Sequence, residues 1–247
     1  MGRHPVRRLW FAIRGGGRRT SRVLVPPACG IALLVAAQAL GADDIVRSAS
    51  AQRYSPSNPM PSIPGGGTLD FQNASAGSSH SVTANRGGPD GGPLFTSGTF
   101  TGRSGGITRA VKGVQYLAPG TYPFHCTVHP STMRGKLTVA AGSPVARPHI
   151  DVSILSRSIG KVRRTKRLKV RADAATKSNN VALVAKKGSK TLARESNVDL
   201  GARDSRTISM RLTRKGKRAL QGRHRATVKL RGTVPFGAPA SAKRTLK

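Results

Sequence analysis

Between Leu117 and Val139 the chain reads LAPGTYPFHCTVHPSTMRGKLTV, and within eight positions it places a thiol, an imidazole and a thioether: Cys126, His129 and Met133. Two His and one Cys in a trigonal plane, with a weak axial Met, is a donor set that suits copper. Zinc also takes Cys and His, but Met is a poor zinc ligand, and no Asp or Glu stands in this stretch to replace it. A second imidazole has one upstream candidate, His80, in the stretch Ser78-Ser79-His80-Ser81-Val82-Thr83.

The elements that must bring these donors together are short. Pro119-Gly120 signals a turn, and Thr121 to Cys126 then alternates as a strand, so Tyr122, Phe124 and Cys126 share the inward face. Pro123 and His125 point the other way, which makes His125 a hydrogen-bonding residue rather than a ligand. Thr127 to Thr132 is short and polar, hence a loop. Alternation resumes from Arg134 to Val139 with Leu137 and Val139 inward, and in that register Met133 faces back toward Cys126.

Taken with the pieces around them, these residues resemble a cupredoxin, the plastocyanin-like or type 1 blue copper domain, over roughly residues 43–141. The matching pieces are Ile63-Pro64-Gly65-Gly66-Gly67-Thr68-Leu69-Asp70-Phe71, the His-x-Val start at His80, and the run from Pro119 through Cys126 and His129 to Met133. Two features depart from the family pattern: the three residues between His129 and Met133, and Ser81, where Asn is common. The resemblance implies a Greek-key β-sandwich binding one type 1 copper ion through His80, Cys126, His129 and Met133. It also implies one-electron exchange with a redox protein partner. A copper-holding or delivery protein of the cell envelope is the alternative, since Cys and Met also suit Cu(I).

Composition agrees with an all-β chain. At 247 residues there is room for two small domains; aromatic residues make up only 4%, Gly and Pro are frequent, and the apolar segments are short and alternating. Enzymes built on several copper centres need many His, whereas after residue 42 the chain offers only His80, His125, His129, His149 and His224, with no His-x-His pair. A Cys126/His129 nucleophile pair has no orienting acid or amide nearby in sequence. The expectation is a non-enzyme.

The formal charge of +34 is unevenly spread. Residues 1–42 hold seven Arg and no acid, residues 43–145 hold eight basic against four acidic, and residues 146–247 hold 28 basic against five acidic. The extreme basicity therefore belongs to the C-terminal part.

Residues 1–42 are Arg-rich and then apolar from Val23 to Ala42, which reads as a signal peptide or an N-terminal membrane anchor. An exported protein is expected, extracellular or in the cell envelope. Cys29 falls in that segment, leaving Cys126 as the lone thiol downstream, without a disulfide partner. Ile45–Ala51, Thr68–Gln72, His80–Ala84, Leu94–Phe100 and Gly113–Leu117 are the framework strands expected ahead of the ligand strand.

Residues 142–148 form a linker, and residues 149–247 a second, basic β-sandwich, Ig-like in its count of about seven alternating segments. These are His149–Ser156, Lys166–Ala172, Asn180–Ala185, Ser189–Leu200, Arg206–Leu212, Arg225–Gly232 and Ala240–Leu246, with one helical turn within Leu212–Leu220. In Arg167-Leu168-Lys169-Val170-Arg171 the basic residues occupy the face opposite the apolar ones, so the charge is a surface property. Such a surface is either an attachment module for an anionic envelope polymer or membrane, or a solvated face without a partner; nucleic acid is not the expected partner of an exported chain.

Overall fold

The computed structural model describes residues 44–50 and 52–247, so the expected signal or anchor segment lies outside the described residues. Two buried clusters form, one drawn from Val46 to Val139 and one from Ile150 to Leu246, with no residue in common.

The first cluster lies between two sheets. Its strands are β1 (Asp44–Ser50), β2 (Arg53–Ser55), β3 (Ser62–Gly65), β4 (Leu69–Asn73), β5 (Ser79–His80), β6 (Thr83–Ala84), β7 (Phe100–Thr101), β8 (Ile107–Ala110), β9 (Gly120–His125) and β10 (Arg134–Gly142). One sheet has the order β2-β1-β4-β8, the other β3-β10-β9-β6, and β5 pairs with β7 beside them. Pairs β1/β4 and β3/β10 are parallel; the others are antiparallel. Phe71, Phe95 and Phe124 are fully buried, and Tyr54 packs edge-on against both Phe71 and Phe124.

Three expected strands take another form. His80–Ala84 divides at Ser81-Val82, because His80 pairs with Phe100 whereas Thr83 and Ala84 pair with His125 and Phe124. In Leu94–Phe100 only the last residue enters a strand; Thr96 makes single bridges to Thr83 and Lys112, and the left-handed Gly98 turns the chain. Gly113–Leu117 carries a 3-10 turn over Val114–Tyr116, entered through Gly113 at φ +99°. A Cβ at Gly113 would stand 2.5 Å from Leu94 O, which is why the chain uses glycine at this crossing. Strands β2, β3 and β8 were not expected; all three are four residues or fewer and one holds Pro64, so alternation had little to show.

The second cluster fills another sandwich, of seven strands: β11 (Ile150–Ile154), β12 (Arg167–Ala174), β13 (Ser178–Lys187), β14 (Lys190–Leu200), β15 (Ser205–Arg211), β16 (Ala226–Thr233) and β17 (Ala240–Leu246). They form sheets β11-β12-β15 and β14-β13-β16-β17. Helix α2 (Arg214–Leu220) is the expected helical turn, with Thr213 as its N-cap. Helix α1 (Ile159–Thr165) is an addition: Ser158 Oγ accepts the Lys161 N–H at 3.2 Å, and Ile159 and Val162, three apart, bury one face. Among the described residues no helix is long and apolar enough to cross a membrane.

The register fixes which ends of the sandwiches meet. In β9, Gly120 lies opposite Val139 and His125 opposite Arg134, so the ligand loop is at one end of the first sandwich and the linker leaves from the other. At that linker end Val145 N–H donates to Gln115 O, and Asp90 Oδ2 accepts the Phe236 N–H at 2.8 Å. Arg147 donates to Phe236 O at 3.1 Å, and the Phe236 ring lies 6.1 Å from that of Tyr116. Phe236 itself has φ +64°, left-handed for a non-glycine residue.

Candidate metal centre

His80 comes from the edge pair β5/β7, Cys126 follows directly on β9, and His129 projects from the loop between β9 and β10. Their donor atoms lie within 4.8 Å of one another. Cys126 Sγ is 3.7 Å from His80 Nδ1 and 4.0 Å from His129 Nδ1, and the two imidazole rings are 5.0 Å apart. Two donors each about 2.0–2.3 Å from one first-row metal ion stand roughly 4 Å apart, which is the scale of both sulfur–nitrogen separations. The three side chains are thus close enough to hold one metal ion between them.

Met133 closes the loop that carries His129. Its side chain is fully buried in the same core cluster as Cys126. Its N–H donates to His129 O at 3.0 Å, its carbonyl accepts the Cys126 N–H at 2.9 Å, and Arg134 Nε donates to Pro130 O at 2.8 Å. The loop is therefore closed on itself by backbone hydrogen bonds at its root, which limits how far Cys126, His129 and Met133 can move apart. His125, by contrast, is outside the cluster, with Nδ1 2.6 Å from Asn85 Oδ1, the hydrogen-bonding role expected of it.

Ser81 joins the His80 segment to the ligand loop. Its N–H points at Cys126 Sγ across 3.4 Å, its Oγ accepts the Thr127 N–H at 3.0 Å and contacts Thr127 Oγ1 at the same distance, and Tyr54 Oη donates to its carbonyl at 2.6 Å. Burial and the nearby Cys126 sulfur hold the Tyr54 phenol well above its ordinary pKa, so it remains a donor. Asn73 steadies the chain before His80: its amide donates to Ser78 O and Phe100 O, while its Oδ1 accepts from Ser48 Oγ and Ser75 N–H. A buried side chain that makes four hydrogen bonds is a fastening point rather than a tolerated polar residue.

Sequence reading reached Ser81 only as a departure from pattern, and it did not reach Tyr54 or Asn73. Position next to a ligand was the available signal for Ser81. For Tyr54, 27 residues away from the carbonyl it binds, there was none.

Of the four residues expected as donors, His80, Cys126 and Met133 are fully buried, whereas His129 is half-buried beside the exposed Val128 and Pro130. The donor set therefore approaches solvent along one imidazole.

No family model matches the chain, and no curated protein sequence matches it. Solved structures of amicyanin do show a likeness. A reduced amicyanin variant is 24% identical, over 42% of this chain and 87% of that one, with a TM-score of 0.31. A reduced Cu(I) form of a second variant at pH 4 is 25% identical over the same shares, again with a TM-score of 0.31. At such scores the likeness carries no argument of its own; the strand pairing and the donor cluster do.

Proposed function

We propose that the chain is an exported type 1 copper protein that carries one electron at a time. The observation that carries this reading is the donor cluster: a cysteine sulfur and two imidazoles within 4.8 Å, with a buried thioether at the foot of the same loop. Copper held there would supply a Cu(I)/Cu(II) couple. The chain's own part is to keep the donors in one arrangement, through the loop-root bonds of Met133 and the hydrogen bonds of Ser81, so that little rearranges when the charge changes. His129, the half-buried donor, gives a redox protein partner its shortest approach. Burial of the other three donors favours retention of the metal over its transfer to an acceptor, and so favours a carrier over a delivery protein. The division at residues 142–148 belongs to the same reading and is supported by the two separate buried clusters.

The test is the visible spectrum of the protein after addition of Cu(II). An intense blue band from thiolate-to-copper charge transfer is expected, lost in Cys126→Ser with the fold retained. Strong zinc binding together with a colourless copper form would refute the assignment. Voltammetry of the copper form separates carrier from delivery protein: a reversible wave with the metal retained supports the first, and loss of copper on each reduction the second.

A further inference from the structure

The second sandwich segregates its charge along its length. β11 leaves the linker at Ile150 and ends at Ile154, opposite Val170, so the following loop, α1 and the start of β12 lie at the end remote from the linker. Four of the five acidic residues are at the near end or on the strands leading from it. Asp151 is opposite Asp173, Asp204 O accepts the Ala174 N–H, and Asp199 accepts the Asn180 N–H. Arg171 with Asp173 is the one Arg or Lys ion pair within 4.0 Å among the described residues.

At the remote end two clefts flank α1. One, of about 410 Å³, has an apolar floor that includes Leu155 and Val162 and is bordered by Arg157, Lys161, Arg167 and Lys169 together with Ser156 and Ser158. The other, of about 210 Å³, lies toward α2 and is lined by Arg163, Lys166, Lys217 and Arg218. Neither has a carboxylate in its lining. Ser156 Oγ and Ser158 Oγ each accept a backbone N–H, from Lys169 and Lys161, so each hydroxyl keeps its hydrogen to donate. Both clefts are thus bordered by cationic side chains, and the first by hydroxyl donors as well, groups that suit a ligand rich in acceptor oxygens.

We infer that the α1 end of the second sandwich binds a linear polyanion whose repeated phosphate groups occupy the two clefts together. A single small anion would use one cleft and leave the other cations unneutralised, whereas a chain of phosphates passing over α1 engages both. A bilayer fits less well, because Leu155 is the one large apolar side chain exposed at this end, too little to insert among lipids. The inference stands on the second sandwich alone and does not depend on copper.

The experiment uses the full chain and long-chain inorganic polyphosphate as probe, with binding followed by anisotropy over a salt series. Replacing Lys161, Arg163, Arg167 and Lys217 by Gln, two per cleft, should weaken binding by about tenfold or more. A second variant carries the same number of neutralisations on the exposed sheet face, at Arg194, Lys229, Arg231 and Lys243. It should lose only about threefold or less, through net charge alone. All eight side chains are exposed, and circular dichroism checks that both variants fold. Equal losses in the two variants would overturn the inference in favour of diffuse charge. So would absence of polyphosphate binding, or retention on phosphatidylglycerol vesicles that free polyphosphate does not compete away.

Discussion

The hydroxyl of Tyr54 donates a 2.6 Å hydrogen bond to the carbonyl of Ser81, the residue whose own N–H faces the sulfur of Cys126. A ring in the core of the first sandwich thereby fixes the peptide group beside the thiol. The fastening is buried at both ends, since Tyr54 and Ser81 are both shielded from water.

Tyr54→Phe should therefore cost about 1–3 kcal/mol of stability, the penalty for stranding a buried acceptor. Urea unfolding measures it. The pH dependence has a definite sign. Burial first, and Cys126 second, raise the folded-state pKa of Tyr54, so its contribution is complete below the ordinary tyrosine pKa of about 10 and declines as pH rises above it. Wild-type stability should fall more steeply on the alkaline side than that of Tyr54→Phe; parallel curves would show that Tyr54 does not bear on the loss.

Met133→Leu keeps the side chain apolar and close in volume, so the fold should survive with a loss below about 1.5 kcal/mol. If the thioether is the axial donor, its loss leaves Cu(II) less well compensated than Cu(I). The reduction potential should rise and the visible band should shift. An unchanged potential in a folded, copper-loaded variant would remove Met133 from the ligand set.

Gly135 lies two residues beyond Met133, and a Cβ there would collide with the Phe124 ring and come within 2.8 Å of Pro59 O. Gly135→Ala should destabilise the first sandwich by about 1–3 kcal/mol through overpacking. The copper band should also broaden, because β10 would be displaced at the foot of the ligand loop. Differential scanning calorimetry reads the first effect and the absorption spectrum the second.

Asp90→Ala removes the acceptor for the Phe236 N–H across the two sandwiches. Elastase cleavage after the exposed Val145 should then accelerate severalfold, since local opening governs proteolysis of a folded chain. If the cleavage rate stays the same, the Asp90 contact does not restrain the linker.

The ligand loop was legible because its information is local. Cys126, His129 and Met133 fall in one strand-loop-strand unit, where a period of two decides which side chain faces which, and Phe124, Leu137 and Val139 are buried as that period requires. The seven strands of the second sandwich were legible for the same reason. What sequence could not show depends on backbone conformation or distant pairing. Gly113 turns Val114–Tyr116 into a 3-10 turn through a φ that no hydrophobic pattern encodes, and the hydrogen bonds of Asn73 reach Ser48 and Phe100, far away in the chain. Helix α1 escaped because its two buried residues, Ile159 and Val162, are too few to establish a helical period.

The junction at Asp90, Arg147 and Phe236 has a consequence for how the molecule could be held. It joins the two sandwiches by the ends remote from the donor cluster and from α1, so each of those features lies at the far end of its own sandwich. If electrons are exchanged at His129 and the chain is held at α1, grip and exchange occupy separate surfaces. A chain moored through α1 would then keep His129 clear of the polymer that holds it, and a visiting partner would meet no competition there. Linker length alone would not secure this, because a free swivel at residues 143–148 would let the copper end fold back onto its own support.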